Sequence, residues 1–279
     1  MGFLDHINRV LHSKINFTSL KITNRNLLNP ENKTLQRTNL NNDIFQSENE
    51  VEKIGLTPKS FVNPAISKPG LIKSKDYEEY LSFIQRYANI ISLTNAINKN
   101  PNIKRILEEN GLECNLQIEN LNSIIDSHLI PCAQTVGIMY KKLGHKKDEQ
   151  DYQNLIQAAL LHDIGKVFIP KEILNKKGRL SKAEREIVEL HNKLSYEILK
   201  TTDLDPKVAQ LALEHHDYEG NITRSVENQL LTIADCYCAL RENRPYKKAM
   251  NDIAAKTILY DMGTKGNFDT RYINYINAA

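Results

Sequence analysis

Three observations predict an all-α protein. From about residue 76 onward, apolar residues recur at i, i+3, i+4 and i+7 between recognisable helix caps. Outside the polar N-terminal region no alternation of apolar and polar residues lasts more than a few positions, so a sheet is not supported. Set into the helical stripes are five of the eight histidines and two aspartates, in the order His128, His162, Asp163, His191, His215, His216, Asp235.

Taken in chain order, Phe3, Leu4, Ile7, Val10 and Leu11 form the stripe of a short amphipathic helix. Such a helix either docks on a partner or membrane surface or packs back on its own domain. Residues 16–75 are rich in Asn, Lys, Thr and Ser, carry Pro30, Pro58, Pro64 and Pro69, and show no sustained periodicity. Residues 1–75 are therefore read as a polar, partly irregular or disordered extension, and 76–279 as the helical domain. Tyr80, Phe83, Ile84, Tyr87, Ile90 and Ile91 predict one long helix, and a second runs from Pro101 to Asn110, where Gly111 ends it. Pro131 follows His128 by three residues; lacking an N–H, it either kinks a helix that passes through His128 or opens a new one.

Tyr152, Leu155, Ile156 and Ala159 line the face that runs into His162 and Asp163, with Gly165 read as the helix stop. Ser181 and Glu184 form a capping box, and His191 shares the following stripe with Ile187, Leu190, Leu194 and Ile198. Asp205-Pro206 starts a helix whose Val208, Leu211 and Ala212 lead to His215. Asp235 lies on the stripe of Leu231, Ala234 and Cys238, where a carboxylate is costly unless a cation meets it.

A single histidine on an apolar face is ordinarily a core residue with satisfied ring nitrogens. Seven inward imidazoles and carboxylates are another matter. Asp163 and Asp235 would each need a cation, and the sequence places only Lys166 and metal ions near them. Nitrogen and carboxylate donors with open positions suit two divalent ions that activate a water against a phosphoester, and the lack of thiolates favours manganese or iron over a structural zinc. His6, His12 and His145 sit in polar surroundings and are read as solvated. In Cys236-Tyr237-Cys238 alternate helical positions face apart, so Cys238 is read as core packing. Cys114 and Cys132 add no disulfide framework, a usage that fits a reducing cytoplasm.

The runs LLHDIGKVFIPKEILNKKGRLS, ELHNKLSYEIL, LEHHDYEG and LLTIADCYCALRENRPYKKA, in that order, resemble the HD superfamily of metal-dependent phosphohydrolases, specifically its HD-GYP branch, over about 120–277. The resemblance implies a helical bundle around a buried binuclear metal site. It implies that His128, His162, Asp163 and Asp235 hold one ion and that Asp163 bridges to a second held by His191, His215 and His216. It makes Asp163 and Lys166 the catalytic pair, with Lys166 on the scissile phosphate. It offers Arg244 as a second phosphate contact, against the plain reading of an exposed loop arginine. Because characterised members of the branch hydrolyse cyclic di-GMP, the implied substrate is a small cyclic dinucleotide. A cyclic mononucleotide or nucleoside triphosphate, or a catalytically silent nucleotide-binding module, are the alternatives.

The chain also departs from the family's pattern. The Gly-Tyr-Pro signature is absent, and DYEGNITRSVENQLL follows His215-His216 instead. Ile124 stands where some members carry a glutamate that supports a third metal, so two ions are expected. Pro131 and Cys238 replace a basic residue and an aspartate.

A net charge of +3 is too mild to indicate a nucleic-acid polymer as partner. The basic run Lys171 to Lys182 either attracts anionic nucleotides or is a solvated face. No stretch is apolar enough to span a bilayer, and no signal-peptide pattern appears.

Overall fold

The computed structural model describes residues 74–143, 148–217, 224–243 and 248–276. The expectations for residues 1–73, for His145, for the 218–223 loop and for Arg244 lie outside these residues. Among the described residues there are helices and no strands, as the periodicity predicts. None of these helices is long and apolar enough to cross a membrane.

The first helices are α1 (Ser74–Tyr87), α2 (Ile90–Lys99), α3 (Pro101–Glu109) and the short α4 (Ile118–Asn122). The long helix expected through Ile91 is in fact two. Asn89 breaks it: its side-chain oxygen accepts from Ser92 N at 2.8 Å, an N-cap for α2 that competes with helix continuation. Pro101 opens α3 and Gly111 follows its end at φ +67°, as expected of that pair.

A π turn, Ile125–Leu129, carries His128 and runs straight into α5 (Ile130–Lys142). Pro131 falls in the first turn of α5, but Leu129 and Ile130 before it are already helical, so its missing N–H lies within a continuous helical run. The helix thus passes through His128, and its hydrogen-bond ladder widens to a π turn just before Pro131. Next come α6 (Glu149–Leu161), a 3-10 turn (Ile164–Phe168), the short α7 (Lys171–Leu174) and α8 (Lys182–Leu199). Both halves of the α8 capping box form, Ser181 Oγ accepting from Glu184 N at 3.2 Å and Glu184 Oε2 from Ser181 N at 2.7 Å. The described chain closes with α9 (Pro206–Glu214), α10 (Val226–Arg241), α11 (Asp252–Thr264) and a 3-10 turn, Thr270–Tyr275. Asp205 caps α9 by accepting from Lys207 N at 2.8 Å.

Helices α5, α6, α8, α9 and α10 form the bundle: α5 packs on α6 and α10, α9 on α6 and α8. Val136, Leu155, Leu194, Leu211 and Leu231 are fully buried between them. Side chains of this size contribute roughly 1.5–3 kcal/mol each when removed from water.

Gly165 does not stop α6. That helix ends at Leu161 with His162 as its C-cap, and Gly165 lies inside the 3-10 turn, against the backbone of α8. A Cβ on Gly165 would fall 2.3 Å from His191 O and 2.7 Å from Ser195 N, so glycine is required by close approach. The segment linking Asp163 to Lys166 is thereby pressed onto the helix that carries His191 and Ser195. Gly165→Ala is expected to lower stability by about 1–3 kcal/mol through overpacking, read from the denaturant midpoint. An unchanged midpoint would mean that the turn can lift off α8 at no cost.

Candidate metal centre

The bundle gathers all seven expected residues into one cluster. His128 comes from the π turn, His162 and Asp163 from the end of α6, His191 from the middle of α8, His215 and His216 from the end of α9, and Asp235 from α10. His128, His162, His191, His215 and Asp163 are at most 1% exposed, and Asp235 is also buried. His216 is the outlier, with 28% of its side chain exposed.

The donor atoms fall into two groups that could each hold an ion: His128, His162 and Asp163 in one, His191, His215 and His216 in the other, each group's atoms within 4.8 Å of one another. Asp163, a member of the first group, also reaches the second, and Asp235 touches residues of both. Asp163 Oδ2 is 3.6 Å from His128 Nε2 and 3.4 Å from His162 Nε2, while its Oδ1 is 3.2 Å from His191 Nε2. Asp235 Oδ1 is 3.0 Å from His128 Nε2, and its Oδ2 is 3.2 Å from His216 Nε2.

The tautomers follow from the backbone. Nδ1 of His162 lies 2.9 Å from Ala159 O, that of His191 2.5 Å from Val188 O, and that of His215 2.7 Å from Ala212 O. A carbonyl only accepts, so each Nδ1 carries a proton and each Nε2 turns inward; His191 and His215, whose pKa values burial lowers, are neutral and present a bare Nε2 lone pair. Nε2 of His191 and of His215, and Asp163 Oδ1, are buried without a hydrogen-bond partner. Bare nitrogens facing carboxylate oxygens repel unless a cation stands between them. That is the observation of fit to a metal. His128 differs: its Nδ1 has no hydrogen-bond partner, and its Nε2 lies 3.0 Å from Asp235 Oδ1.

Burial alone would raise the pKa of Asp163, but Lys166, whose Nζ is 2.5 Å from Oδ2, and the adjacent His162 hold it well below the carboxylate range. For Asp235 burial is likewise outweighed, here by hydrogen bonds from His128 and His216. Burial lowers the pKa of His191, and burial followed by the neighbouring His216 lowers that of His215 further.

Supporting residues complete the site, and sequence reasoning did not single them out. Ser195, one turn after His191, accepts from Gly165 N at 2.9 Å. Thr232 lies 3.0 Å from His215 O and 2.9 Å from Asn228 O, so its hydroxyl proton serves one of the two carbonyls. Ser195 could have been found as the i+4 neighbour of His191; Thr232 sits on an unremarkable apolar stripe. Cys238 is buried beside Thr135, with Oγ1 to Sγ at 3.6 Å, in keeping with core packing.

A helical bundle that converges imidazoles and carboxylates in this way belongs to a recognised class. The chain matches the HD domain family model over residues 117–272, more than half its length, and is a member of that family. Phosphohydrolases of the family are metal-dependent. Among curated proteins it is 31% identical over 139 residues to a cyclic di-GMP phosphodiesterase response regulator of Xanthomonas campestris pv. campestris, covering 46% of this chain and 36% of that protein. It is 31% identical over 160 residues to a cyclic di-GMP phosphodiesterase of Borreliella burgdorferi, covering 53% and 42%. It is 35% identical over 105 residues to a 3'3'-cGAMP-specific phosphodiesterase of Vibrio cholerae, covering 34% and 23%. The chain thus spans well under half the length of these relatives. A solved HD domain of an L. monocytogenes phosphodiesterase, in complex with cyclic-di-AMP, aligns with TM-score 0.40 and 21% identity over 53% of this chain and 84% of that one.

The depressed histidines set an acid limit on the metal-free protein. Both fold neutral, whereas the unfolded chain takes up protons on them near 6.5. Between the two pKa values the unfolded state binds more protons, so stability is fully present above about pH 6.5 and falls as pH drops towards the folded values. Asp163 and Asp235, with depressed pKa values, act only below about 3.8 and do not enter this window. Thermal melts of chelator-treated protein from about pH 7.5 to about pH 5 should show the decline. A flat or rising melting temperature would contradict neutral burial of these rings.

Proposed function

We propose that the protein is a metal-dependent phosphodiesterase that hydrolyses a nucleotide phosphodiester, with cyclic di-GMP or a related signalling dinucleotide as substrate. The carrying observation is the set of inward Nε2 atoms of His162, His191 and His215, gathered with Asp163 and Asp235 in one buried cluster. In this reading His128, His162, Asp163 and Asp235 would hold one divalent ion, and His191, His215 and His216, with Asp163, would hold a second. Nitrogen and oxygen donors without thiolate suit manganese or iron. When bound, such ions lower the pKa of a water and offset charge developing on the phosphoryl oxygens.

The chain's own residues do the rest. The bonds from Nδ1 to backbone carbonyls fix three imidazoles in the tautomer a ligand needs, so little reorganisation is required when charge changes at the centre. Asp163 stays ionised under the influence of Lys166. Lys166 is 16% exposed while the ligands beside it are buried, which suits an ammonium that meets an arriving phosphate at the rim of the cluster. Arg244 is proposed as a second phosphate contact. The dinucleotide assignment is supported by the names of the curated relatives, which act on cyclic di-GMP or 3'3'-cGAMP. The missing Gly-Tyr-Pro loop favours a second reading, an HD phosphohydrolase acting on another nucleotide.

The test is incubation of anaerobically purified, manganese- or iron-loaded protein with cyclic di-GMP, with products separated by chromatography. Linear pGpG or GMP is expected from the wild type and not from a His162→Ala, Asp163→Ala double variant. Turnover of other nucleotides alone would favour the second reading, and nucleotide binding without any turnover would favour a silent module. Lys166→Ala should keep metal content and melting temperature while turnover falls by about two orders of magnitude, since it removes charge stabilisation but no ligand. Asp163→Ala should lose metal and about 3–5 kcal/mol of stability, because it leaves Lys166 unpaired at the edge of the core. Retention of full metal load and stability in that variant would rule out Asp163 as the shared ligand.

A further inference from the structure

Asn120 is only 6% exposed, lies in the five-residue helix α4, and has no place among the seven clustered residues. Both hydrogens of its side-chain amide go to one short segment: Nδ2 donates to Lys166 O at 2.8 Å and to Ile169 O at 2.9 Å. The same segment is held twice more from the start of α4, where Gln117 N donates to Val167 O at 2.7 Å and Gln117 Oε1 accepts from Lys171 N at 3.0 Å. Opposite, Ser195 Oγ takes the Gly165 N–H. The backbone around Lys166 is therefore fastened on both sides.

The chemistry at position 120 is restrictive. One nitrogen serves two carbonyls, that of Ile169 and that of Lys166, which also takes the Ile169 N–H at 3.1 Å; an amide can donate twice and an aspartate of the same size cannot. One of those carbonyls belongs to Lys166 itself. We propose that Asn120 is a positioning residue for Lys166: it fixes the main chain from which the ammonium reaches Asp163 and, in the reading above on which this inference rests, the substrate phosphate. The helix that presents Asn120 leads directly into the π turn bearing His128, so one short segment sets both His128 and Lys166.

The experiment uses the full, manganese-loaded chain with bis(p-nitrophenyl) phosphate as a generic phosphodiester, and compares wild type, Asn120→Ala, Lys166→Ala and the double variant. Asn120→Ala should lower kcat by about tenfold or more through misplacement of the ammonium, with metal per chain unchanged. In the Lys166→Ala background the same change should cost almost nothing further, because the group it positions is gone. Losses that multiply in the double variant, or an Asn120→Ala protein that sheds its metal, would overturn the proposal.

A second readout does not depend on turnover. Acetylation of Lys166 followed by mass spectrometry should speed up several-fold in Asn120→Ala as the pair with Asp163 loosens. Lys207, paired with Asp151 at 2.6 Å on the first turn of α9, should react at its wild-type rate. Equal Lys166 rates in the two proteins would reject the role of Asn120. A wild type that labels as expected yet never turns over the ester would count against the phosphodiesterase reading and leave the positioning role standing.

Discussion

The burial of Asp163 and Asp235 is the constraint on which the rest of this structure depends. Two carboxylates removed from water must be compensated, and the bundle surrounds them with imidazoles from four separate elements and one ammonium. An ordinary apolar core would be more stable without them. Gly165, Ser195 and Thr232 make sense as the means by which helices reach the close, fixed approach that such a cluster needs.

The backbone supplies much of the precision. Two of the three carbonyls that take an Nδ1 proton belong to helix ends, Ala159 on α6 and Ala212 on α9, where carbonyls lack a full set of helical partners. A histidine just past the last turn satisfies such a carbonyl and has its tautomer fixed in return. Helix termination and imidazole orientation are thus one event at His162 and at His215.

Much of this was legible in the sequence because burial leaves a periodic trace. The stripes of Leu155, Ala159, Leu194, Ile198, Val208 and Leu211 predicted which faces turn inward, and the histidines on them turn inward as well. The capping box at Ser181 and the Asp205-Pro206 start were readable because caps are local chemistry. What escaped was decided by competition or by tertiary contact. At Asn89 a side-chain cap outweighed an apolar pattern that continued on both sides. Gly165 looked like a helix stop because its true reason, the backbone of α8, is some thirty residues away in sequence. Asn120 leaves no pattern at all, since the carbonyls it serves come from a distant turn.

The π turn at His128 alters how positions before it should be counted. His128 N and Leu129 N both reach Ile124 O, and Ile130 N reaches Ile125 O, so the ring closes over one more residue than in an α-helix. The wider turn shifts the register by one residue, so the faces that α5 presents do not continue those of the residues before Ile125 at α-helical spacing.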